Sequence, residues 1–183
     1  MSAARIAPLP EPWPADVAGE LSAMMPPGVP LLALFRILAR SPRILRKIRA
    51  SNLLDRGPLE RRERELVILR TTARCGSEYE WGVHAAIFAR RFGLSQAEVA
   101  ASRRAGSRDA LWSERDRLLI RLVDELHEQA TLSDELWHAM RPLWSDEQLI
   151  ELIVLAGFYH TISFVTNALA IPLEDSGERS PAC

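Results

Sequence analysis

The sequence predicts an all-α protein, a bundle of helices behind an extended, proline-rich N-terminal arm. Two observations carry that prediction. From Leu31 onward apolar residues recur three and four positions apart, and almost no run alternates with the period of two that a half-buried strand needs. Upstream, seven of the twelve prolines fall within the first 30 residues. That density forbids helix over most of the segment and suits a chain lying extended on a surface.

Residues 1–30 therefore read as the arm, 31–175 as one helical domain, and 176–183 as a flexible tail. Helices are expected over 30–39, 42–53, 59–74, 77–92, 95–104, 113–129, 133–143 and 146–170, with boundaries good to ~2–4 residues. The last segment is long enough for two helices. Pro58 stands ahead of a first turn that contains Glu60, a start signal for 59–74. Ser77, Ser95, Ser113 and Ser145 each precede, by three residues, a side chain able to close a capping box: Glu80, Glu98, Asp116 and Gln148. Gly93 follows Phe92, where a left-handed residue ends the 77–92 helix and releases the chain into Leu94 and Ser95. A loose echo between RERELVIL (62–69) and ERDRLLIRLV (114–123) suggests an internal helical duplication.

A chain of 183 residues with 48% apolar content fits one domain with a sizeable core. The formal net charge is −1 and basic residues alternate with acidic ones. Neither nucleic acid nor a membrane surface is expected as a partner, because no Lys/Arg field is present to attract one. The longest apolar runs, such as Leu149 to Tyr159, are interrupted by Glu151 and fall short of the ~20 residues of a membrane span. The start, MSAARIAPLPEPWP, lacks the apolar core of a secretory signal, so a cytoplasmic protein is expected. Cys75 and Cys183 lie far apart and are expected to be free thiols.

The chemistry-bearing residues gather in RERELVILRTTARCGSEYEWGVH, residues 62–84. On the 77–92 helix Trp81, Ala85, Phe88 and Phe92 form an apolar stripe, with Ser77 and His84 on its edge and Glu80 slightly farther round. Glu65 adjoins the uninterrupted run Leu66 to Leu69, so its carboxylate is expected to be partly desolvated. Desolvation raises a carboxyl pKa and lowers that of histidine, which brings both toward neutrality and suits Glu65 and His84 to exchanging protons. Each residue also has a plainer reading. Ser77 with Glu80 is a capping box by the rule that accounts for three other helix starts. Glu80 and His84 form an ordinary i, i+4 pair, and Arg61, Arg62 and Arg64 are near enough to neutralise Glu65. Spacing alone leaves these readings level.

The run from Glu65 to His84, the following GLSQAEVAA and the ending FVTNALAIPLE resemble the carboxymuconolactone decarboxylase family, part of the alkylhydroperoxidase D-like superfamily of all-helical proteins. The resemblance is strongest over about residues 55–105. In the peroxidase branch a glutamate is followed twelve residues later by CxxC and then, four residues on, by a histidine. Glu65 and His84 fall on the glutamate and histidine, while Ser77 and Glu80 stand on the cysteine positions. The redox pair is absent, and Cys75 sits two positions too early to replace it.

The decarboxylase branch needs no thiols, so the resemblance implies a cofactor-free acid/base enzyme of lyase type acting on a small organic acid or lactone. On that reading His84 hydrogen-bonds an enolate, Glu65 donates or relays the proton, Ser77 and Glu80 orient the site, and Tyr79 and Trp81 line it. No arginine is assigned as a carboxylate clamp. Glu80, His84 and Glu65 also have the donor types of a metal site, but a metal-free site is expected. His127, His138 and His160 show no pattern tying them to it, and His160 is expected in a buried hydrogen-bonding role. Two other readings stay open: an alkylhydroperoxidase D-like peroxidase or antioxidant protein using Cys75, and a non-catalytic oligomeric helical binding protein. Under all three the resemblance implies a homo-oligomer, a trimer or hexamer, with the arm lying across a neighbouring subunit.

Overall fold

A computed structural model describes residues 4–25, 29–51, 53–104 and 110–174. Among them all regular structure is helical. In chain order it comprises α1 (Ala15–Ser22), α2 (Ala33–Leu38), α3 (Pro42–Ser51), α4 (Arg61–Arg74) and α5 (Glu78–His84), then a π-helical turn (Ala85–Ala89) and a 3-10 turn (Arg90–Phe92). After these come α6 (Gln96–Ser102), α7 (Glu114–Gln129), α8 (Asp134–Met140) and α9 (Asp146–Ala168). The expected tail, 176–183, lies outside the described residues.

The arm, expected to be free of helix over most of its length, holds one short helix. Residues 15–25 hold no proline, and α1 forms there, directly after Pro14. It buries Val17 and Leu21 against Leu34, Ile37 and Leu45 of α2 and α3. The stretch before it is extended and tied down by backbone hydrogen bonds, Arg5 N to Leu169 O at 2.8 Å and Leu9 N to Arg36 O at 3.1 Å. These residues of the arm thus pack on their own chain.

α4 packs against α5, α6, α7 and α9, and every residue from Glu63 to Thr72 is buried. A helix buried all round has to pair its charges internally. Arg70 does so with Asp124 on α7, through Nε and Nη2 at 2.8 Å each, and with the Ser102 carbonyl at 3.1 Å. Glu63 accepts from Arg115 at 2.6 Å and from Trp144 Nε1 at 3.3 Å. Arg64 donates to the carbonyls of Leu53 and Asp55 at 2.9 and 2.7 Å, fixing the loop that precedes α4. The two echoing segments of the sequence lie on α4 and α7, which pack directly on each other.

α9 is one continuous helix of 23 residues, long and apolar enough by composition to cross a membrane. Here it buries Leu149, Leu152, Leu155 and Tyr159 inside the bundle. Three of the four expected capping boxes close, at Ser95, Ser113 and Ser145. The fourth is half made: Ser77 accepts from Glu80 N at 3.4 Å, but the Glu80 carboxylate does not turn back to the cap. Gly93, with φ of 87°, ends the 3-10 turn in the left-handed region as its position predicts.

Candidate active site

α5 begins at Ser77 because that serine caps it, and the cap is held from α9, where Thr166 Oγ1 lies 2.8 Å from Ser77 Oγ. This fixes the rotation of a short helix and sends Glu80 and His84 toward α4. Immediately after His84 the backbone widens into the π turn, a local departure found often at functional sites. It sets Phe88 against the His84 ring, with centroids 5.1 Å apart.

Glu65, Glu80, His84 and Tyr159 are all buried, and they converge. His84 Nδ1 lies 2.9 Å from Glu65 Oε1. His84 Nε2 lies 3.2 Å from the Tyr159 hydroxyl and 3.5 Å from Glu80 Oε1. None of the three arginines expected to neutralise Glu65 does so. Arg62 pairs with Asp116 and Glu98, Arg64 is spent on backbone carbonyls, and Arg61 lies over the Phe92 ring.

Burial alone pulls His84 below the ordinary imidazole value. The Glu65 carboxylate, by charge and hydrogen bond, and then Glu80, outweigh it and push the ring up to about 10. His84 is therefore an imidazolium at neutral pH, donating from Nδ1 to Glu65 and from Nε2 toward Tyr159 and Glu80. The expectation that burial would bring this ring toward neutrality is corrected, because two carboxylates face one ring. Burial, followed by the charges of Glu80 and Glu65, holds the Tyr159 phenol well above its usual range. Its proton is thus retained, and no other hydrogen bond of its oxygen is present among the described residues. Glu80 Oε2 is buried with no hydrogen-bond partner.

These groups open on a cavity of about 430 Å³, a size that admits a small organic molecule. Leu34, Phe35, Val83, Phe88, Phe158 and Ile162 supply apolar wall, and Met24 and Met25 of the arm close one side. Arg49, Arg56, Arg61 and Arg91 line it as well. All four are exposed, and none has a carboxylate partner among the described residues.

Glu65, Glu80 and His84 are thus brought together, and the other expected residues are not. Ser77 serves as the cap. Tyr79, expected to line the site, faces the other way: its hydroxyl donates to Glu174 at 2.5 Å and accepts from Leu34 N at 3.1 Å, tying the C-terminal segment to α2. Trp81 is turned to α6, donating to Ser102 Oγ at 3.1 Å with Arg103 over its ring. Cys75 lies outside the cavity, and burial pushes its thiol up. Tyr159 was missed, because no spacing in the sequence ties α9 to α5.

Residues 41–120 match the carboxymuconolactone decarboxylase family. No protein of curated function matches the chain in sequence. Among solved structures, a peroxidase-related protein from Silicibacter sp. TM1040 is similar with a TM-score of 0.82 and 15% identity, over 96% of this chain and 94% of that one. A peroxidase-related protein with an alkylhydroperoxidase AhpD core from Ralstonia eutropha JMP134 gives 0.77 and 19%, over 96% and 94%. The debrominase Bmp8 in complex with 2,3,4-tribromopyrrole gives 0.76 and 14%, over 93% and 92%. At these identities the likeness is one of fold.

Proposed function

Residues 41–120 of this chain belong to the carboxymuconolactone decarboxylase family, and on that premise we propose that the protein is a cofactor-free acid/base enzyme of decarboxylase or lyase type, acting in the cytoplasm on a small organic acid or lactone. Glu80 carries the reading. Its carboxylate leaves the capping position its spacing offers and ends at the cavity, with Oε2 buried and unpaired beside a protonated His84. Leaving such an oxygen unsatisfied costs on the order of 1–3 kcal/mol, a cost that a ligand's donor or a transferred proton removes.

In the proposed reaction the bond to a carboxyl carbon breaks, CO2 leaves, and the electron pair moves onto a conjugated carbonyl oxygen. His84 Nε2–H and the Tyr159 hydroxyl hydrogen-bond that enolate oxygen. Glu65 holds the ring from Nδ1, so it acts through His84 and not as the proton donor the sequence suggested. Glu80, protonated from bulk solvent, delivers that proton to the carbon that lost CO2 and is recharged from solvent, so one proton is consumed for each CO2 released. The unpaired guanidiniums of Arg49, Arg56, Arg61 and Arg91 attract the substrate's remaining carboxylate to the cavity.

CO2 release from a panel of unsaturated carboxylactones and β-keto acids tests this directly. Glu80→Gln is expected to lower kcat by ~10²-fold or more. The double variant Arg61→Gln/Arg91→Gln is expected to raise KM by ~10-fold with kcat little changed. The peroxidase-related neighbours favour a second reading, a peroxidase or antioxidant protein, which would have to work through Cys75 outside the cavity. Hydroperoxide consumption that disappears in Cys75→Ser, with no lyase turnover in the wild type, would establish that reading and remove the first.

The proposal includes a homo-oligomer, a trimer or hexamer. α9 leaves Ile150, Val154 and Phe164 on its outer face, 63%, 51% and 64% exposed. A run of large apolar side chains on one exposed helix face supports contact with a second copy.

A further inference from the structure

Outside the cavity, the C-terminal end of α4, the last turn of α7 and the middle of α9 bring together three side chains that the acid/base chemistry does not use. Cys75 Sγ lies 4.0 Å from His127 Nδ1, and His127 Nδ1 lies 3.0 Å from His160 Nε2. All three donor atoms fall within 4.8 Å of one another. Sulfur at about 2.3 Å and nitrogens at about 2.0–2.1 Å from one tetrahedral ion require little further approach. The three residues are half-buried, so a cation can reach them from solvent.

His160 is already oriented as a ligand. Its Nδ1 lies 2.9 Å from the Ala156 carbonyl, which can only accept, so Nδ1 carries the hydrogen and Nε2 presents its lone pair to the cluster. Metal-binding imidazoles usually make such a bond through the nitrogen that does not touch the metal. Arg74, the nearby cation, is itself paired, with Glu128 at 2.5 Å and Asp124 at 3.5 Å. The cluster therefore does not face an uncompensated positive charge.

We propose that Cys75, His127 and His160 form a second site, one that binds a zinc-class divalent transition-metal ion and joins α4, α7 and α9. One thiolate and two imidazoles make a borderline-soft donor set that suits zinc over calcium or magnesium. Without the ion, His127 Nδ1–H donates to His160 Nε2. With it, the neutral His127 ring carries its hydrogen on Nε2, Nδ1 turns its lone pair to the metal, and the Cys75 thiol releases one proton as sulfur binds. The fourth position is left to water or another small ligand. This site stands independently of the lyase reading, since none of its residues touches the cavity.

Metal-stripped protein titrated with cobalt(II), then with zinc(II), tests it. The expected result is one ion per chain, a thiolate-to-cobalt charge-transfer band, release of a proton, and displacement of cobalt by zinc. Cys75→Ser is expected to abolish the band. Cys75→Ser, His127→Gln and His160→Gln should each weaken zinc binding by ~100-fold or more, with the circular dichroism spectrum unchanged. Glu80→Gln, in the cavity, should leave binding as it is. Cobalt binding without a thiolate band, or zinc affinity unmoved by all three substitutions, overturns the site and leaves only a hydrogen bond between two rings.

Discussion

Glu65→Gln is expected to lower turnover by ~10²–10⁴-fold while the protein remains folded. The amide oxygen can still accept from His84 Nδ1–H, so the ring keeps its orientation. The charge that holds the ring protonated is gone, and burial, which pulls His84 down, is opposed by Glu80 alone. A neutral ring loses one of its two donors and with it the hydrogen bond to a developing enolate. The variant's kcat should therefore fall as pH rises through neutrality, where the wild type holds level. Wild-type kcat and an unchanged pH profile in Glu65→Gln would reduce Glu65 to a packing role.

The same pairing has a signature in stability. The folded-state value of His84 lies above its ordinary 6.5, so its contribution is fully present below that pH and is lost as pH rises toward about 10. Urea unfolding across this window should show wild-type stability falling more steeply than that of His84→Gln, by at most about 1.4 kcal/mol per pH unit.

Arg70→Met is expected to cost about 3–5 kcal/mol of folding free energy. Arg70 is 2% exposed, and its removal leaves Asp124 with only Arg74 at 3.5 Å while the Ser102 carbonyl loses its donor. That is a large share of a typical domain's 5–15 kcal/mol. A urea midpoint at wild-type slope would measure it. Pairing the change with Asp124→Leu should recover much of the loss, because the uncompensated charge is then gone. A cost below about 1 kcal/mol would mean that the pair behaves as a surface ion pair.

The helices were legible because their signals are local. A serine three residues ahead of an acid or amide marks a start wherever it occurs, and three of the boxes close as read. The fourth shows the limit. Ser77 and Glu80 have the same spacing whether the carboxylate returns to the cap or reaches on to His84, and what decides is a ring one turn later on a helix facing α4. α1 was hidden because a proline density taken over the whole arm masks its proline-free stretch. Of the site, Glu65 and His84 could be singled out through burial and resemblance. Tyr159, the cavity arginines and the Cys75, His127 and His160 cluster join elements far apart in sequence, and only packing brings them together. Tyr79 stands five residues from His84 and so on another face of α5, while Trp81, three residues away, is drawn aside by its indole hydrogen bond to Ser102 on α6.

On its contacts with Glu65 and Glu80, His84 is a buried imidazolium held between two carboxylates. Nitrogen NMR of the ¹⁵N-histidine-labelled protein, followed from pH 6.5 toward 10, tests it most directly. Both His84 ring nitrogens are expected to keep their protons through neutrality and to lose one only as pH approaches about 10. A ring that titrates near 6.5, or one already neutral there, would contradict it.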